Sequence, residues 1–140
     1  MKRCKNGWMV PAIIIIVNMC AIWIRWSVLP DVLPAHFDPA GNASGSMAKT
    51  TLLFYPVISI MLCLMTYGIY ALINNIFKLK PDEKGLRMCG LHVFASCLAL
   101  TVLSSTMVTL TMGTCPLFMF AEPVLMLAGI TTLIVCLVKK

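Results

Sequence analysis

Residues 29–49 read LPDVLPAHFDPAGNASGSMAK, the longest polar passage in a chain of 140 residues that is 60% hydrophobic and only 11% charged. What flanks it decides the fold. Before it, Met9–Leu29 carries a single charge, Arg25; after it, Thr51–Phe77 carries none. Further on, Gly90–Phe120 and Pro123–Val138 are also uncharged. A soluble chain of this composition could not cover its own surface with polar groups, since ordinary domains are about a quarter charged. A helix crossing a bilayer needs roughly 20 apolar residues. Four spans therefore fit, at about 9–29, 52–77, 91–113 and 117–138. The runs lack the period-2 alternation of barrel strands. The expectation is an all-α membrane protein, a four-helix transmembrane bundle forming one integral domain over residues 1–140, with an ordered loop at 29–49. The first run is longer than a signal-peptide core and ends in IRWSVLPD, without a small-x-small cleavage site, so it reads as a retained span.

Lysine and arginine set the expected orientation. Lys2, Arg3, Lys5, Lys78, Lys80, Lys84, Arg87, Lys139 and Lys140 would share one side, nine of the eleven basic residues, leaving Arg25 and Lys49 on the other. The positive-inside rule then puts both termini in the cytoplasm of a multi-pass cell-membrane protein and the 29–49 loop outside. The net charge of +6 is on this reading a topological label, and no nucleic-acid partner is expected. The seven cysteines contain no CxxC and imply no disulfide framework; they read as small apolar thiols. The segment KLKPDEKGLR, with Pro81 and Gly85, reads as a solvated linker.

Inside the spans, Cys97, Thr101, Ser105, Thr109 and Gly113 recur every four positions, a slanted stripe of small residues suited to close helix packing in lipid. Asn18 should face the bundle. Arg25 and Glu122 each lie about a turn inside the same end of their spans. A lone charge at the bilayer centre costs about 2.5–3.5 kcal/mol on insertion scales. Arg25 can snorkel; the shorter Glu122 cannot, and it is expected to pair with Arg25 or Lys49.

In the loop, Pro30 and Pro34 fix φ near −65° and stop the helix. Leu29, Val32, Leu33 and Phe37 would dip into the headgroup region. Asp38-Pro39 starts a turn, and Gly41 can adopt positive φ, so PAHFDPAG should fold back. If the piece is extended, His36 and Asp38 project to one face and Phe37 to the other. The candidate ligand-binding or loop-organising residues are Pro30, Asp31, Pro34, His36, Phe37, Asp38, Gly41 and Lys49.

The passage resembles the pattern LP-x-x-[IV]-P-x-H-[FW]-[ND]-x-x-G-x-x-D-x-x-x-x-K of a bacterial membrane domain of unknown function, which also forms the N-terminal part of SdpI-like immunity and signalling proteins. Leu29, Pro30, Pro34, His36, Phe37, Gly41 and Lys49 stand at matching positions, with Asp38 where Asn is usual. Ser44 replaces the usual Asp, which weakens a metal or proton site built on that carboxylate, and a six-span architecture is not expected from four runs.

The resemblance implies a non-enzymatic membrane protein whose outward loop recognises a peptide toxin or a lipid, with no cofactor. Two other classes fit the residues. One is a metal or acid–base site from His36, Asp38, Asp31 and Glu122, although no HExxH-type spacing exists. The other is a subunit of a transporter or membrane complex, with a homo-oligomer or membrane partner supplying what four spans lack.

Overall fold

The computed structural model describes residues 6–38, 42–77, 81–112 and 117–138. It is mostly helical: α1 (Met9–Arg25), α2 (Phe54–Phe77), α3 (Pro81–Leu110) and α4 (Leu117–Val138). Between α1 and α2 stand two strands, β1 (Val32–Phe37) and β2 (Ala43–Ala48), and a 3-10 turn over Lys49–Leu53. Two stretches, Lys49–Ile76 and Gly85–Leu110, are long and apolar enough to cross a membrane; Met9–Arg25 and Phe120–Cys136 are shorter apolar helices.

Two boundaries differ from the sequence expectation. α1 ends at Arg25, before the expected Leu29, because the chain tightens into turns in which Val28 N–H and Leu29 N–H both donate to the Arg25 carbonyl. α3 begins at Pro81, ten residues before the expected start, so the supposed linker is largely helix. Proline suits the first helical position, where its missing N–H is not needed.

α3 is the hub, packing against α1, α2 and α4. Its register with each neighbour can be read from individual contacts. A Cβ on Gly90 would meet Cys136 at 2.6 Å, and one on Gly129 would meet Cys97 at 2.9 Å. Further along the same seam, Ser105 hydrogen-bonds Glu122. Rising numbers on α3 therefore meet falling numbers on α4, and the stripe that contains Cys97 and Ser105 faces α4; its last member, Gly113, lies outside the described residues. On another face, Tyr67 Oη and His92 Nδ1 lie 2.8 Å apart and Cys63 Sγ reaches the Ala95 carbonyl, which sets α2 antiparallel to α3. Gly7 lies against His92 and Arg25 against Leu110, so α1 runs parallel to α3.

The helices keep their outer faces apolar. Trp23, Leu64, Leu72, Val124 and Leu127 are all well exposed, and only 22% of the apolar window in Lys49–Ile76 is buried. Several polar groups instead turn inward. Asn18, Ser59 and Thr106 are fully buried, and the side-chain polar atoms of Asn18 and Ser59 have no hydrogen-bond partner among the described residues. Cys20, Cys63, Cys97 and Cys136 are free thiols, whereas Cys89 is disulfide-bonded, against the expectation that thiols alone are present. Cys115 lies outside the described residues.

Candidate functional site

The segment expected as an ordered loop is an antiparallel β-hairpin. β1 pairs with β2 in a register that sets Leu33 opposite Met47, Pro34 opposite Ser46 and His36 opposite Ser44. Each strand of a two-stranded sheet is an edge, so Pro34 can turn its missing donor away from the ladder. Gly45 sits at φ +69°, a left-handed conformation that L side chains rarely adopt. At the tip, Asp38 N–H donates to the Asn42 carbonyl at 3.0 Å. The Asp38 carboxylate in return accepts from both Asn42 N–H and Asn42 Nδ2, each at 2.8 Å. Gly41, expected to supply the turn, lies outside the described residues.

Strand alternation sorts the side chains. Leu33 is 1% exposed and joins Ile22, Leu29, Leu52 and Leu110 in a small apolar core, flanked by Trp26, Met47 and Tyr55. Val32 points the other way and is 64% exposed. Leu29 and Leu33 thus fill the protein interior, not the surface position expected of them. The reason is that α1 ends early enough for the hairpin to fold back over the ends of α1 and α3.

Both cations at this end are held by carbonyl oxygens. Lys49 Nζ donates to the Leu29 carbonyl at 3.0 Å and stands 4.8 Å from the Trp26 ring centroid. Its backbone N–H donates to the Asp31 carbonyl at 2.8 Å. Pro30 and Asp31 are thereby pinned between the end of α1 and the end of β2. Arg25 donates to the Leu110 carbonyl at 3.3 Å. Leu110 is the last residue of α3, and the final carbonyls of a helix lack an intrahelical donor.

The expected Arg25–Glu122 or Lys49–Glu122 pair is therefore replaced by other partners. The Glu122 carboxylate accepts from Ser105 Oγ at 2.6 Å. Pro123 follows it inside α4, where the missing N–H leaves one carbonyl of the preceding turn without its donor.

Under the hairpin these residues enclose a cleft of about 370 Å³. His36 and Phe37 come from β1, Tyr55 from the start of α2, Ser105 and Thr109 from α3, and Glu122 from α4. Of the sequence-proposed residues, the structure brings His36, Phe37 and Glu122 together here. It sends Asp38 to the tip, Pro34 to a half-buried place along β1, and Asp31 and Lys49 to the strand base. Sequence reasoning missed Tyr55, and it read Ser105 and Thr109 as packing residues ahead of a polar conduit. Among the described residues, no group of three His, Cys, Asp or Glu side chains is arranged to hold a metal.

Residues 13–60 match the family described as a domain of unknown function (DUF1648). That span runs from α1 through the hairpin into α2, so it includes one wall of the cleft but not Ser105, Thr109 or Glu122. No curated protein and no solved structure matches the chain significantly.

Proposed function

We propose that this chain is a small multi-pass protein of the cell membrane, with both termini cytoplasmic, whose outward-facing hairpin recognises a small peptide or lipid at the cleft beneath it. In this reading it acts by binding and not by catalysis, as its resemblance to the N-terminal part of SdpI-like immunity proteins suggests.

Membrane residence is supported by what is left uncovered. Helices buried in a soluble core would hide their apolar residues, yet 22% and 44% of the two long windows are buried. The rest would be a large aggregating surface in water and is at home in lipid. Trp8 and Trp23 are both exposed, at opposite ends of α1. With a rise of 1.5 Å per residue they stand about 22 Å apart, a spacing that suits aromatic anchors near the two interfaces of a bilayer.

The single observation carrying the recognition reading is the cleft. The family-matched hairpin supplies His36 and Phe37 to a concave space whose far wall carries Glu122. Its volume falls at the lower end of the range for small-ligand sites. The hairpin is fixed by the Asp38–Asn42 turn and the Lys49 clamp, and such preorganisation reduces the ordering cost of binding.

The test has two arms in intact cells. A cysteine at Ser44, in a chain with its native cysteines replaced, is expected to react with a membrane-impermeant maleimide added outside. Labelling only after permeabilisation would overturn the topology. A photocrosslinking residue at His36 is expected to capture a small adduct that the same residue at Ile76, on the exposed face of α2, does not. Identical products at both positions would remove the recognition reading.

A further inference from the structure

We infer that the cleft under the hairpin is a binding site for the primary ammonium group of an amine-headed lipid, with Glu122 as its counter-charge. The inference rests on the recognition reading above and names the ligand chemistry within it.

The sign of the charge follows from the lining. Among the described residues lining the cleft, Glu122 is the only formally charged one, with His36 neutral. The two nearby cations are directed elsewhere, Arg25 to the Leu110 carbonyl and Lys49 to the Leu29 carbonyl and the Trp26 face. Among the described residues the Glu122 carboxylate has a hydroxyl donor, Ser105, but no cationic partner. A partly buried carboxylate so placed favours an arriving cation and repels an anion.

The donor count narrows the class. Ser105 spends its hydrogen on Glu122, and Thr109 Oγ1 spends its own on the Ser105 carbonyl at 3.1 Å. Their oxygens remain as acceptors, beside the second oxygen of the carboxylate. Phe37 and Tyr55 add aromatic rings to the lining, and aromatic rings attract cations. Several acceptors around one negative charge suit a group with N–H bonds to give, so a primary ammonium fits better than a quaternary one. A metal ion fits worse, because among the described residues too few ligating side chains converge.

The lipid origin follows from the surroundings. Phe120 and Val124, on either side of Glu122 in α4, are 60% and 64% exposed, and Val32 at the base of β1 is exposed as well. An acyl chain can lie on that apolar surface while its head enters the cleft. A cleft of about 370 Å³ holds such a head but not a folded peptide.

The experiment adds single-chain phospholipids to the purified chain in a neutral maltoside detergent and follows its thermal midpoint. Lysophosphatidylethanolamine is expected to raise the midpoint, with lysophosphatidylcholine and lysophosphatidylglycerol doing so at least tenfold less effectively by concentration. Glu122→Gln should weaken the ethanolamine effect about 10- to 100-fold, the range for a hydrogen bond to a charged group. Thr109→Val, which keeps the shape and deletes one acceptor, gives a second variant should Glu122→Gln not fold. Equal effects of the three heads, or an ethanolamine effect that survives both substitutions, would overturn the amine site while leaving recognition intact. So would a Glu122-dependent response to a lysine-containing amphipathic peptide alone. No response to any of these ligands, together with an empty crosslink at position 36, would remove both proposals.

Discussion

The hairpin end and the α3–α4 seam are held by opposite means. At the hairpin end, polar side chains reach backbone carbonyls: Lys49 to Leu29, Arg25 to Leu110, with Asp38 and Asn42 bonding each other at the tip. Along the seam the absence of side chain matters more. Gly90 faces Cys136 and Gly129 faces Cys97, so the helix backbones approach closely and dispersion acts over a dense contact. On the membrane reading proposed above, water and headgroups compete at the hairpin end, where structure depends on hydrogen bonds that fix the chain direction. Along the seam, lipid would leave apolar contact without a solvent-driven gain, so that fit decides. Substitutions should separate the two regimes.

The largest effect belongs to the seam. Gly90→Leu would drive a side chain into Cys136, whose Cβ and Sγ already stand within 3.0 Å of an added Cβ. Overpacking of this kind costs about 3 kcal/mol, read as a lower midpoint in an SDS titration of the detergent-solubilised chain. Gly68→Leu is the matched comparison. Nothing lies within 4 Å of a Cβ there, so it should be neutral or stabilising by up to about 1 kcal/mol through helix propensity. Equal losses at the two glycines would show that fit at the seam is not what matters.

Next comes the clamp. Lys49→Met keeps an apolar stem but removes the ammonium from the Leu29 carbonyl and the Trp26 ring. The expected cost is about 1–3 kcal/mol. It should appear as faster amide exchange in β1 and β2 with little change in α4. Exchange that rises uniformly through the protein would mean the lysine supports the whole bundle and not the hairpin.

How far the sequence predicted these regions follows the same division. Helices α2 and α4 came within two residues of their expected bounds, because long uncharged runs have few alternatives. The start of α3 was misplaced because Pro81 and Gly85 are loop signals that a helix N-terminus also tolerates. The hairpin was half legible. Pro30 and Pro34 end the helix and Asp38-Pro39 starts a turn, but ASGSMA has little strand propensity and becomes β2 only by pairing with β1. The cleft was the least legible, since His36 and Glu122 come to line one cleft through helix packings that no local pattern encodes. The Arg25–Glu122 expectation weighed charge against charge and omitted the free carbonyl at the end of α3.

The smallest effect should be a gain. Asn18 is 1% exposed, and neither its amide nitrogen nor its oxygen has a partner among the described residues. A buried polar group left unpaired costs about 1–3 kcal/mol, whereas an apolar group of similar shape incurs no such penalty. Asn18→Leu should therefore stabilise the detergent-solubilised chain by about 1 kcal/mol, because the larger side chain must also be fitted into a packed interior. The seam should lose stability on substitution because its space is filled, and the hairpin end because its polar groups are satisfied; Asn18 should gain because its own are not. If Asn18→Leu instead lowers the midpoint as much as Lys49→Met does, the amide has a partner in the solubilised protein. The interior of the bundle would then depend on polar contacts as the hairpin end does, and the contrast between the two regions would fail.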